Sequence, residues 1–339
     1  MSHLNPAPAQ GTRTGTGWGA LVPGLGLTLG IALLATAAQR LSGLAALSPL
    51  VLAMLLGMLL RNLWGTPEAA RPGIGFSLRR VLRLAVMLLG FQLTLAQLRA
   101  VGVPGLAVIA VTLAATFVFT KWAGRALGVE RRLAELIAAG TAVCGASAVM
   151  ATNTVTRGSD EDVAYAIACV TVFGSLSMVE MPVLGGLLGL DPAHYGIWVG
   201  ASVHEVAQVV GAGFQHGAEA GQAATVAKLS RVILLAPLIL TLGALARRRG
   251  EGARGAAPAP WFVLGFVAAM LLNSALPLPA PMAQGLARVT TFLLTVALAA
   301  MGLETDLRKL RAKGIRPLAL GALAWLFVSG LALALVTLV

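Results

Sequence analysis

The chain has 339 residues, of which 58% are hydrophobic and 11% charged, with a mean hydropathy of +0.85. An ordinary soluble domain is about a quarter charged, so this composition excludes a water-soluble globular protein of this length. The formal charge of +12 does not signal nucleic acid, because the basic residues fall in short loops between apolar stretches and no nucleic-acid-binding motif is present.

Residues 1–18 are polar, rich in small residues and read as a disordered tail. Ala35-Thr36-Ala37 has the form of a signal-peptidase site, but only Arg13 precedes the apolar run, which reads as a retained span. Apolar segments then follow near 19–38, 47–63, 79–98, 103–123, 133–156, 162–189, 194–215, 222–246, 259–276, 283–303 and 315–338. Backbone polar groups in hydrocarbon must be satisfied within the segment, so these are expected to be helices of an all-α polytopic membrane protein. Basic clusters at Arg61/Arg71/Arg79/Arg80, Lys121/Arg125/Arg131/Arg132, Arg247/Arg248/Arg249/Arg254 and Arg308/Lys309/Arg311/Lys313/Arg316 all fall on one side when spans are counted. That side is assigned to the cytoplasm, with the N-terminus cytoplasmic and the C-terminus periplasmic. The same parity holds for eleven spans, or for nine spans plus two re-entrant hairpins at 133–156 and 194–215.

The sequence repeats itself at an offset of 212 residues. Gly90–Gly102 lies on Gly302–Gly314, Met58-Leu59-Leu60 on Met270-Leu271-Leu272, and Val51-Leu52 on Val263-Leu264. With one residue of slippage, Leu27-Thr28-Leu29-Gly30 lies on Leu240-Thr241-Leu242-Gly243. Residues 19–132 thus form a first repeat, 133–221 a central region and 222–339 a second repeat. The offset spans an odd number of segments, which inverts the second copy in the bilayer. Loop charge agrees: the basic loop around Arg311 pairs with the nearly uncharged one around Arg99, and the basic 61–80 loop with the uncharged Asn273–Gly285. Inverted repeats lead to the expectation of a transporter working by alternating access.

The chemistry is expected in the central region. Thr141, Cys144, Gly145 and Ser147 lie in one small-residue stretch, and Ser202, His204, Glu205 and Gln208 in another. Small residues let helices approach or break, and broken helices free N–H groups to face a ligand. Thr141, Cys144, Gly145, Ser147, Ser202, His204 and Gln208 are the candidate substrate-binding residues. His204 and Glu205 are the candidate ion-coupling pair, because ionisable side chains are costly in hydrocarbon and His titrates near neutral pH. This set holds hydroxyls, one His and one Glu, and no Arg or Lys. Asn153 reads as a cap or a weaker binding residue. Glu180 is either a coupling carboxylate or an interfacial residue. Asp160, Glu161 and Asp162 read as helix-start residues, Glu304 and Asp306 as interfacial, and His194 and His216 as lying near span ends.

An enzyme is not expected. His204-Glu205-Val206-Ala207-Gln208 has the first half of H-E-x-x-H, but Gln208 replaces the second zinc ligand. Cys144 has no base assigned by sequence, Cys144 and Cys169 form no disulfide framework, and no phosphate-binding loop motif appears. No metal or cofactor is called for.

The stretch Gly140-Thr141-Ala142-Val143-Cys144-Gly145-Ala146-Ser147-Ala148 and the stretch Ser202-Val203-His204-Glu205-Val206-Ala207-Gln208-Val209 resemble the signatures of the YeiH-type family of bacterial inner-membrane proteins, named for sulfate export. The resemblance covers roughly residues 20–339. It implies an inner-membrane carrier akin to bile-acid-symporter-type proteins, with a mobile core domain working against a panel domain. The expected function is secondary transport of a small anion, sulfate-like or a sulfonate, coupled to H+ or Na+ within the lipid bilayer. A homodimer is left open. An anion channel is the alternative and would carry a continuous polar stripe along several spans; a membrane-embedded enzyme ranks third.

Overall fold

A computed structural model describes residues 18–42, 48–248, 261–311 and 313–338. The tail expected at 1–18 lies outside the described residues except for its last position. Among the described residues the fold is all-helical. The first group comprises α1 (Val22–Ser42), α2 (Pro49–Leu63), α3 (Arg71–Phe76) and α4 (Leu82–Leu89), with one wide turn, Ser77–Val81, joining the last two. Next come α5 (Leu95–Ala126), α6 (Arg131–Ala142), α7 (Ala146–Thr156), α8 (Asp160–Leu188), α9 (Pro192–Ser202) and α10 (Val206–Gly213). The chain closes with α11 (Ala218–Ile233), α12 (Leu235–Arg248), α13 (Trp261–Ala275), α14 (Ala280–Glu304) and α15 (Ile315–Val336).

Local chemistry sets the helix starts. Ser48 accepts the Val51 N–H ahead of Pro49, and Asp191 accepts the Ala193 and His194 N–H groups ahead of Pro192. Ser159 and Asp162 form a capping box that starts α8. Among the described residues six helical stretches are long and apolar enough to cross a bilayer, α11 and α12 counting as one, and α2 and α13 are shorter apolar helices. Large side chains such as Leu33, Leu59, Val118 and Leu264 project outward, as hydrocarbon solvent permits.

Two pairs of short helices fold back on themselves. Thr156 at the end of α7 donates to Glu135 Oε2 near the start of α6 at 3.0 Å, and Lys121 Nζ donates to Glu135 Oε1 at 2.6 Å. Tyr195 near the start of α9 donates to Ala212 O near the end of α10 at 3.1 Å and stacks on His216. Both pairs are therefore helical hairpins, with tips at Val143–Gly145 and Val203–Glu205.

The helices sort into two packed groups. One holds α1–α4, α13 and α14; the other holds α5–α12 and α15. Within the first, two contacts recur with roles exchanged. A Cβ on Gly302 would stand 2.2 Å from Met54 O, and one on Gly90 would stand 2.4 Å from Phe266 O, so neither helix pair could approach this closely with a larger residue. Asn62 Oδ1 accepts the Leu307 N–H at 3.0 Å and its Nδ2 donates to Thr305 O at 3.0 Å. At the other end, Ser274 Oγ accepts the Leu95 N–H at 2.8 Å and Asn273 Nδ2 donates to Leu93 O at 3.1 Å. Gly102 and Gly314 share one backbone conformation, φ +61°, ψ −178° and φ +78°, ψ −176°, which favours glycine.

Ion pairs tie the segment between α14 and α15 to two helix ends: Asp306 to Arg61 of α2 at 2.9 Å and Lys313 to Asp162 of α8 at 2.5 Å. Burial works against ionisation of Asp306, but the Arg308 N–H and the Arg61 guanidinium outweigh it and hold the carboxyl below its usual range.

Candidate functional site: two hairpin tips on a pair of buried cations

The first tip follows from its glycine. α6 stops at Ala142, and Gly145, at φ +66°, turns the chain into α7. A Cβ there would stand 2.5 Å from Glu205 Cγ, so absence of a side chain is what lets the tips touch. The second tip runs extended through Val203 and starts α10 at Glu205, whose N–H donates to Gln208 Oε1 at 3.1 Å.

Breaking a helix leaves its last carbonyls without partners. Lys228 and Arg231, one turn apart on α11, supply them. Lys228 Nζ donates to Val143 O at 2.8 Å, Val203 O at 2.7 Å and His204 O at 2.5 Å. Arg231 donates from Nε to Ala142 O at 3.1 Å, from Nη1 to Gly200 O and Val203 O at 3.1 Å each, and from Nη2 to Thr141 O at 2.7 Å. Both side chains are 0% exposed. Cations at the negative ends of α6 and α9 are electrostatically favoured, and the dense hydrogen bonding offsets a desolvation cost of several kcal/mol, roughly, for each charge. This corrects the expectation that the site holds no Arg or Lys. The pair went unseen because the surrounding segment is apolar enough to read as an ordinary span, although an ionisable residue inside a span is itself the signal that finds it.

A cavity of about 160 Å³ reaches the tips. Cys144, Ser147 and Glu205 line it from the tips, and Arg79 and Arg83 line it from the turn and helix at α3–α4. The remaining lining is apolar, from Leu78, Leu82, Val86, Val206, Val232, Leu235, Trp261 and Phe262. The cavity thus lies between the two helix groups. Arg83 sits over the Trp261 ring, 5.9 Å from its centroid. Glu205 Oε1 accepts the Thr171 hydroxyl at 3.0 Å.

Of the residues singled out from sequence, Cys144, Gly145, Ser147 and Glu205 come together at the cavity end of the tips. Thr141, Ser202, His204 and Gln208 are buried behind them. Ser202 donates to Trp198 O at 2.5 Å. Gln208 donates to Thr171 O at 3.0 Å and Ser175 Oγ at 3.2 Å, seated against Gly174, where a Cβ would lie 2.0 Å from its Oε1. His204 Nδ1 has no partner among the described residues. Asn153 caps, its Oδ1 accepting the Gly158 N–H at 2.7 Å. Glu180 is half-buried and away from the cavity. Among the described residues no group of three or more His, Cys, Asp or Glu is placed to hold a metal ion.

Long apolar helices, outward-facing leucines and valines, and an interior built of hairpin tips define a multi-pass helical membrane protein. The chain belongs to the family described as Conserved hypothetical protein 698, which matches residues 23–321. It is 41% identical over 328 residues to a UPF0324 membrane protein of Pseudomonas aeruginosa, covering 91% of this chain and 92% of the relative. A UPF0324 membrane protein of Bordetella pertussis is 40% identical over 317 residues, covering 88% and 91%. The UPF0324 inner membrane protein YeiH of Escherichia coli is 36% identical over 325 residues, covering 91% and 92%. The YeiH-type resemblance read from the two motifs is borne out over most of the chain.

Proposed function

We propose that the chain is a secondary active transporter that carries a small anion across the bacterial inner membrane by alternating access, coupled to H+ or Na+. The observation that carries the reading is the convergence of both hairpin tips on Lys228 and Arg231 at the end of a cavity between two helix groups. Interrupted helices at mid-depth between repeats are a carrier's means of holding substrate. In this reading the hairpins α6–α7 and α9–α10 are re-entrant from opposite faces, and the rest of the chain makes nine spans. The group α5–α12 with α15 is the mobile core, and α1–α4 with α13 and α14 the panel. The contacts shared by Gly90 and Gly302, and by Asn62 and Ser274, support an inverted repeat, because each pair is related by the same 212-residue offset. Anion preference is supported by Arg79, Arg83, Lys228, Arg231 and the N-terminus of α7, which together outweigh Glu205. Glu205 with His204 is the proposed coupling unit. The N-terminus is cytoplasmic and the C-terminus periplasmic.

The test is counterflow of labelled anions in proteoliposomes, with and without pH or Na+ gradients. A carrier gives trans-stimulated exchange; uptake without any trans-stimulation replaces it with a channel. Glu205→Gln and His204→Ala are expected to uncouple transport from the gradient. Unchanged coupled transport in both removes them from the mechanism.

A further inference from the structure

The cavity's walls do not match a bare inorganic oxyanion. Its polar lining is Arg79 and Arg83 from one helix group and Cys144, Ser147 and Glu205 from the other, and the rest of the lining is apolar, including Val232 and Phe262. Among the described residues neither Arg79 nor Arg83 has a carboxylate partner, so the lining offers two guanidinium groups to a ligand's acid group. A doubly charged sulfate would strand most of its oxygens against apolar wall and would face the Glu205 carboxylate with twice the charge of a monoanion. Size points the same way: the cavity is about 160 Å³, and an apolar cavity of roughly 150 Å³ holds a benzene ring.

Resting on the transport reading above, we propose that this site takes a small organic oxyanion, a sulfonate or carboxylate with an apolar body no larger than an aromatic ring, in preference to inorganic sulfate. The acid group lies against Arg79 and Arg83, and the body fills the space beside Val232 and Phe262.

The experiment is calorimetric titration of the full chain in lipid nanodiscs with alkanesulfonates from methanesulfonate to octanesulfonate, benzenesulfonate and sulfate. Each buried methylene is worth about 0.8 kcal/mol, so affinity is expected to climb about fourfold per carbon and then stop abruptly when the cavity is full. Val232→Phe is expected to move that stop to a shorter chain, and Arg83→Gln to weaken every member of the series. Sulfate binding more tightly than butanesulfonate, or a series flat in chain length, overturns the proposal. So does a rise with no stop that Val232→Phe leaves unchanged, since that is partition into the bilayer. Counterflow with the same anions separates the two readings. Sulfate exchange with a flat series sinks the substrate class alone. A bounded series without exchange of any anion sinks the transport reading and leaves the pocket's chemistry standing.

Discussion

Each of the three hydrogen bonds of Lys228 ends on a carbonyl of a hairpin tip, so removing the ammonium strands all three at once. An unsatisfied buried group costs about 1–3 kcal/mol, and Lys228→Met is therefore expected to lower the thermal midpoint far more than Lys121→Met, whose pair with Glu135 lies at the partly exposed basic end. Equal midpoints for the two variants would remove Lys228 from its place as the pin of the tips. Gly145→Ala tests the opposing tip. The new methyl meets Glu205, and the positive φ adds strain of about 1–3 kcal/mol. Transport is expected to fall with the protein still folded, and Gly145→Ala combined with Glu205→Ala to restore packing but not coupling; full activity in Gly145→Ala would show the tips need not touch. Residue types at the tips were legible because His204 and Glu205 are ionisable in an apolar setting and Gly145 and Ser147 sit in a run of small residues. Lys228 and Arg231 were not, since a window average hides two charges among apolar neighbours, and only the fold reveals that their partners are carbonyls from elsewhere in the chain.

At the level of elements, many segment boundaries followed from hydropathy, but the segment expected at 79–98 runs across a break: α4 ends at Leu89, Leu93 is extended and α5 starts at Leu95, apolar on both sides so that hydropathy does not mark the turn. The breaks inside 133–156 and 194–215 followed from their small residues. Whether those segments cross or turn back did not, because a hairpin and a span of similar length have the same composition. The distinction rests on contacts such as Glu135 with Thr156 and Tyr195 with Ala212, which no local pattern encodes. On a background lacking Cys144 and Cys169, cysteines at Arg132 and Asp160 are expected to react with an impermeant maleimide from one face of the membrane, and cysteines at Ala193 and Glu219 from the other. Labelling of Arg132 and Asp160 from opposite faces would make 133–156 a span.

For the whole molecule, the sequence matches itself at a near-constant offset, and two contacts within the first helix group recur at that offset with their roles exchanged. Asn62 and Ser274 each hold the N–H of a residue just past a helix, Leu307 and Leu95. Neither partner is predictable from its own neighbourhood. If the halves are inverted, cysteines at Arg99 and Arg311 label from opposite sides of the membrane, and labelling from one side rejects inversion. The uneven distribution of charge has a further kinetic consequence. Arg79 and Arg83 line the cavity, while the segment Asn273–Gly285 carries no charge at all. Fixed positive charge raises the local anion concentration and is screened within about 8 Å at physiological ionic strength. On the proposed transport reading, KM is therefore expected to rise with salt when substrate is loaded from the side of Arg79 and Arg83 and to be indifferent to salt when loaded from the other, so that two equal doorways behave as a fast intake and a slow one.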